Sequence, residues 1–592
     1  MKKRIFLIAL AFVMCISMFS CKNNDIVSDE TDNNTDGNTA PTENPGEYIT
    51  IAEGGTINYQ LVYPRNPEEQ LMTVTSDLFK AIEKRSGGIP KMHDDYVSAN
   101  EDHNSESYEI LIGKTSYPET KQVLNSIGYG EWKICVVGNK LVVTAYSQKA
   151  LQSAITKLIV ELKNGATDDG TIRLPANIEL SNSLYESANH LPEYVGDVIP
   201  EIVDSGDATS LAVIKGTSLD EYDRYLAKLE ALGYTYHTSN KMAENYFATY
   251  YNDNYLIHAG YYEYEKSARI TIEPKTSLIP LKSENIYTPD ENITTSIAQV
   301  GLSHTGNDYS AIGMAYVIQL ADGSFLVIDS GFIGDADRLY NYMKSKAPDG
   351  NIVIASWILT HSDGDHIGGL EIFAPRYKND VTFEQVVFNF PGVDTYIDMN
   401  ATQNTTLKAA MAAYENCQII KAHTGQRLYI RNAVVEILCT IESYLPESTT
   451  IFNNTSLAFT VDIEGERLMF AGDISDELAE VLYETFEGTD YLRCDFLQLS
   501  HHGVRNHHGT NMPNMVKLYT LMRPTVVLWP TSNTEYLNTN RDESLQVHLH
   551  AWNAEAVDVA REVYIAGEDY VTIFDLPYGI FSARRELITI VE

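Results

Sequence analysis

Residues 352–369 read IVIASWILTHSDGDHIGG, and the fold is decided by this stretch. Its first eight residues, 352–359, are an uncharged apolar run of strand length. Four potential metal ligands follow within six residues: His361, Asp363, Asp365 and His366. Gly368 and Gly369 close the stretch. A strand end that runs into a tight loop can turn all four side chains toward one point, which an isolated His or Asp cannot do.

The same placement recurs on either side. Residues 315–320 and 324–328 read as strands joined by Ala321-Asp322-Gly323, and the second ends in Asp329-Ser330-Gly331. A helix is expected over 335–346. Downstream, the apolar run 468–472 ends in Asp473, and 496–500 ends in His501-His502-Gly503. A third run, 526–530, leads out over the same edge. Asp and His at the ends of successive strands are how an α/β scaffold collects one site from distant sequence.

In order and spacing these motifs resemble the metallo-β-lactamase-fold hydrolases, over residues 292–592. The family pattern is HxHxDH, and this chain reads HxDxDH, with Asp363 in place of the second His. With Ser-His-His-Gly at 500–503 and no His-containing loop before Gly472-Asp473, the variant is most similar to the nuclease-like domain of bacterial competence DNA-uptake channels. The resemblance implies an α/β fold: a C-terminal four-layer αββα sandwich, here preceded by two small α+β domains. It also implies that Asp365, His366, Asp473 and one of His501 or His502, His501 being taken first, hold one metal. His361 and Asp363 would hold a second ion, with Asp473 between the two. The family's remaining histidine falls where this chain has Asn453-Asn454-Thr455-Ser456, so Asn454 would offer only a carbonyl oxygen. Asp329 is expected to orient the loop by accepting backbone hydrogen bonds.

His502, Asn454 and His423 stand as further metal or substrate contacts. His507 and His508 read as an exposed loop, and His548-x-His550 has no third ligand type beside it. The cofactor implied is one or two divalent ions, Zn²⁺ first and Mn²⁺ second. Imidazoles suit zinc, while additional carboxylate oxygens shift preference toward harder ions. Such an ion lowers the pKa of its water from about 15.7 to about 7. Asp365 and Asp473 would be the catalytic carboxylates, Asp365 as ligand and proton acceptor. The activity expected is hydrolysis of a phosphoester, a phosphodiester first. The alternatives are the same fold cleaving an amide, lactone or thioester, and a surface binding lipoprotein whose metal site is degenerate.

Two units precede this region. Residues 48–190 alternate strand and helix: a strand at 109–112, a hairpin of 132–137 and 141–146 about Gly138-Asn139-Lys140, then a helix stopped by Gly165. This segment looks like the non-catalytic α/β domain at the front of many secreted polysaccharide-degrading enzymes, which makes carbohydrate binding an expectation for the front domains. Residues 196–280 read βαβββ, with Ser218 and Glu221 as a capping box. Tyr outnumbers Phe by 38 to 18, and the tyrosines of these strands alternate as a half-buried sheet would require.

The formal charge is −38, with 43 Lys and Arg against 81 Asp and Glu. A surface so acidic repels phosphate backbones, so stable duplex nucleic-acid binding is not expected. The substrate is instead expected to be small or oligomeric, with any attraction for an anion confined to the metals. Lys2, Lys3 and Arg4 precede sixteen apolar or small residues, 5–20, and then Cys21. This resembles a bacterial lipoprotein signal, 1–20, with Cys21 as the lipidated residue. Residues 21–47 are too polar to form a core and read as a tether. The expectation is an exported protein, held on the extracytoplasmic face of the membrane by a lipid anchor alone. Cys135, Cys417, Cys439 and Cys494 fall in no ligand spacing and read as free thiols, although an exported chain can also pair them.

Overall fold

The apolar runs around the quoted stretch assemble into two facing sheets. The structure is a computed structural model, and it describes residues 47–98, 101–196, 198–206, 208–303, 313–390, 407–444, 452–504, 512–532, 551–568 and 570–588. In the first sheet Phe325–Ile328, Ile352–Ile358, Gln385–Phe388 and Gln418–Lys421 run parallel. Tyr316–Gln319, Ser296–Val300, Tyr570–Asp575 and Arg584–Leu587 extend it antiparallel. In the second, Glu466–Phe470, Phe496–Gln498, Val526–Trp529 and Glu562–Ile565 are parallel. Ala458–Ile463, Ala433–Cys439 and Arg427–Ile430 continue it antiparallel.

Strand periodicity sends alternate side chains to opposite faces. Ile318, Leu326, Ile328 and Ile358 therefore meet Val435, Phe459, Leu468 and Leu528 between the sheets. Trp357, next in line to Ile358, points the other way, into a layer made by helices Ala336–Lys346 and Gly364–Arg376. Met469 and Leu497 likewise meet helices Asp476–Phe486, Pro513–Met522 and Ala551–Val557 on the outer face of the second sheet. The four layers are thus helix, sheet, sheet, helix. Each such fully buried aliphatic or aromatic side chain contributes about 1.5–3 kcal/mol relative to exposure. Helix Gly364–Arg376 crosses the first sheet so closely that a Cβ at Gly369 would lie 2.0 Å from the Ser330 carbonyl oxygen.

The middle unit differs from its βαβββ reading by having six strands. Glu201–Gly206 and Thr235–Met242 form the two edges of an otherwise expected antiparallel sheet. Thr235–Met242 is polar along most of its length and carries no apolar alternation to announce it. Helix Leu219–Ala231, opened by the Ser218/Glu221 capping box, covers one face with Tyr222 and Tyr225 against Tyr261 and Ile257. The other face is not solvated: Met242, Phe247 and Tyr262 pack into the same core as Leu438, Cys439 and Met469.

The first unit places Met92–Asp94, Gln60–Tyr63, Glu109–Ile112 and Lys140–Ala145 in one parallel set. Glu131–Val137 and Glu179–Ser183 are added antiparallel. Helices Glu69–Ser86 and Gln148–Asn164 pack on it. Tyr48–Glu592 cluster as one compact unit. Cys135, Cys417, Cys439 and Cys494 are all free. Among the described residues no helix is long and apolar enough to cross a membrane. The leader 1–20, Cys21 and most of the tether, with His507, His508, His548 and His550, lie outside the described residues.

Candidate metal centre

Parallel pairing aligns the carboxyl ends of the central strands of both sheets, and the polar residues read at those ends converge there. Asp329 follows Phe325–Ile328, and His361 follows Ile352–Ile358. Asp473 follows Glu466–Phe470, and His502 follows Phe496–Gln498. Asp365, His366, Asp473 and His502 each bring one ligand atom within 4.8 Å of the others, and no other such group of three or more occurs among the described residues. His366 Nε2 lies 3.2 Å from Asp473 Oδ2 and 3.3 Å from His502 Nε2. His502 Nε2 lies 3.0 Å from Asp473 Oδ2 and 3.2 Å from Asp365 Oδ2.

The hydrogen-bond network assigns the tautomers. Asp329 accepts from the Thr360 backbone N–H at 2.8 Å, from Thr360 Oγ1 at 2.7 Å and from His366 Nδ1 at 2.6 Å. It accepts a backbone hydrogen bond from the loop, and in addition it holds the His366 ring. Thr360 gives its only proton to Asp329, so the 3.1 Å contact between Thr360 Oγ1 and His361 Nδ1 is donated by His361. His502 Nδ1 lies 3.0 Å from the Pro530 carbonyl, which only accepts. All three rings thus commit Nδ1–H outward and present Nε2 to the centre, as metal-ligating histidines do. Trp529 Nε1 donates to the His502 carbonyl at 2.8 Å, and Asn553 Nδ2 to that of Gly503 at 2.9 Å. The roles of Thr360, Pro530 and Asn553 carry no sequence signal, because they act through a backbone carbonyl or a single hydroxyl.

Divalent ions fit this donor set. His361 Nε2 and Asp473 Oδ1 are buried and have no hydrogen-bond partner. A buried polar atom without a partner is costly unless an ion or water completes it. His361 Nε2 stands 3.9 Å from Asp473 Oδ2 and 3.4 Å from Asp363 Oδ2, so His361 and Asp363 flank the four-residue group on one side. Without a cation, burial disfavours charge on His366 and His502. Asp473 and Asp365 outweigh it, holding His366 well above the usual range and His502 at about 9. Burial likewise raises Asp473 and Asp365, and the two imidazoles overcome it and hold both carboxyls down.

Three positions differ from their sequence assignments. The ligand position given to His501 is occupied by His502. Asn453 Nδ2 donates to His501 Nε2 at 3.0 Å, and burial holds His501 near pKa 4. Asn454 is engaged within the protein: its Oδ1 meets Ser475 Oγ and its Nδ2 donates to Glu477 at 3.4 Å. His423 is not at the metal group: it is buried between Glu442 and Glu273, at 2.9 Å and 3.3 Å. Asp329, His501 and His502 all have positive φ, at 53°, 48° and 55°. Non-glycine residues rarely adopt this conformation, and such strain concentrates at functional sites.

Residues 311–394 match the family model of the Metallo-beta-lactamase superfamily. No curated protein matches the chain in sequence. Among solved structures, the chain is similar to the metallo-beta-lactamase fold protein YhfI from Bacillus subtilis. Identity is 14%, over 47% of this chain and 99% of that one, with a TM-score of 0.31. It is similar to human tRNase Z, short form, at 14% identity over 47% of this chain and 98% of that one, TM-score 0.27. CmlA, a diiron beta-hydroxylase from Streptomyces venezuelae, matches at 12% identity over 61% of this chain and 79% of that one, TM-score 0.31. The mixed α/β chain carries a C-terminal metallo-β-lactamase domain.

Proposed function

We propose that the C-terminal domain is a metal-dependent hydrolase acting on a phosphoester, a phosphodiester first, on the extracytoplasmic side of the membrane. The observation that carries this reading is the convergence of the His366 and His502 Nε2 atoms on Asp365 and Asp473, with His361 Nε2 3.9 Å from Asp473 Oδ2 and every Nδ1 committed elsewhere. A bound divalent ion supplies an activated water and neutralises negative charge that develops on the substrate. Asp329 keeps His366 in the ligating tautomer. Asp473 is almost wholly buried and holds position, whereas the Asp365 side chain is 24% exposed. Asp365 is therefore the carboxylate from which a proton taken from the attacking water can pass to solvent.

Phosphorus chemistry is supported by the HxDxDH variant, and export by the Lys-Lys-Arg start, the apolar run and Cys21. The ion is taken as zinc first, since three imidazoles suit it, and manganese second. The test is metal analysis of the purified protein, followed by assays of aryl phosphodiester, phosphomonoester, lactone and β-lactam substrates with and without chelator. Chelator-sensitive phosphodiesterase activity that disappears in Asp473→Ala is the expected result. Protein that takes up no metal on reconstitution overturns the hydrolase reading. Activity confined to lactones or amides overturns the phosphoester.

A further inference from the structure

The first unit holds a cavity of about 160 Å³ outside the carboxyl ends of its parallel strands. Strand Gln60–Tyr63 pairs with Met92–Asp94 on one side, reached through helix Glu69–Ser86, and with Glu109–Ile112 on the other. The direction of winding reverses between them, and in open parallel sheets ligands bind in the crevice at that reversal. Glu68 comes from the segment after Gln60–Tyr63, Lys114 from the one after Glu109–Ile112 and Gln148 from the one after Lys140–Ala145. Glu201, at the start of the middle unit's first strand, closes the cavity from the neighbouring unit. Leu71 and Leu151 are apolar parts of the wall.

From this geometry we infer that the crevice binds a single neutral, polyhydroxylated six-membered ring, that is, one sugar residue. Size is the first argument, since about 160 Å³ leaves room for one small ring and not for a longer chain. Charge is the second: Lys114 against Glu68 and Glu201 leaves the lining with one net negative charge, which disfavours an anion. Polar complementarity is the third. Gln148 Nε2 donates to Glu68 Oε2 at 2.6 Å, which fixes the amide and leaves Gln148 Oε1 buried without a partner, an acceptor for a hydroxyl proton. Lys114 Nζ has three protons and donates one to the Pro200 carbonyl at 3.2 Å, so it supplies donors for a hydroxyl oxygen. Leu71 and Leu151 offer apolar surface to the C–H face of a ring.

The experiment uses the full chain in the presence of chelator, so that its outcome is independent of the metal centre. Saturation-transfer NMR with glucose, galactose and N-acetylglucosamine, and with acetate as the anionic control, reads binding directly. The expected result is saturation of ring protons of at least one sugar and none of acetate. Affinity should fall at least tenfold in both Gln148→Leu and Lys114→Met, each checked for native circular dichroism. No signal from any of the three sugars overturns the inference. So does a signal that survives both substitutions, or binding of acetate in their place.

Discussion

Glu442→Gln tests the buried charge cluster that joins the middle unit to the C-terminal domain. His423 donates from Nδ1 to both Glu442 oxygens, at 2.9 and 3.0 Å, and from Nε2 to Glu273 at 3.3 Å. Lys421 Nζ lies 3.3 Å from Glu273, and the His258 ring stacks on His423 with centroids 4.9 Å apart. Burial alone would lower His423, and burial with the neighbouring His423 charge does hold His258 near 4. For His423 the two carboxylates win, Glu442 first, and lift it from 6.5 to about 9. At about 1.4 kcal/mol per unit this is about 3 kcal/mol of stability. Because the folded pKa is raised, that stability is fully present below pH 6.5 and is lost as pH rises through 9. Glu442, closer and bidentate, carries the larger share, about 2 kcal/mol. Denaturant unfolding of wild type and Glu442→Gln at pH 6 and pH 9.5 reads the difference. The variant's deficit should be about 2 kcal/mol larger at pH 6, where His423 is charged, than at pH 9.5, where it is mostly neutral in both proteins. A deficit of equal size at the two pH values refutes the reasoning.

Three further outcomes are expected. Asp329→Asn should weaken metal binding about 10- to 100-fold by competition with a chromophoric chelator, because the carboxylate that fixes the His366 ring is lost while no ligand is removed. His502→Ala should purify with the metal depleted and His501→Ala with it retained, as measured by elemental analysis. Gly425→Ala should cost about 2–4 kcal/mol in denaturant unfolding, since its φ is 87° and the new Cβ would lie 2.1 Å from Phe247 Cγ. Phe247→Ala in the same chain should return part of that loss, as a double-mutant cycle would show.

Much of the C-terminal fold was legible because its strands are short apolar runs that end in Asp or His. The runs before Asp329, His361, Asp473 and His501 appear as strands at those places. What decided between His501 and His502 was not composition. Both residues are left-handed, with one ring hydrogen-bonded by Asn453 and the other at the carboxylates. Asn454 looked available because Ser475, twenty-one residues later, gives no sign in sequence that it donates to Asn454 Oδ1. His423 looked like a spare ligand because Glu273, its partner, lies 150 residues away in another unit. The polar edge strand Thr235–Met242 lacked the alternation that reveals a strand.

Met242, Phe247 and Tyr262 sit in the C-terminal domain's own hydrophobic core, beside Leu438 and Met469. A cut at residue 292, where the family resemblance begins, therefore runs through a shared interior. A fragment beginning there would present an apolar scar on its second sheet, and Lys421 would lose Glu273, the carboxylate that pairs with it. The middle sheet therefore has to travel with the candidate metal centre, and so does the first unit, since Tyr129, Tyr146 and Tyr185 share a core with Tyr222 and Ile257.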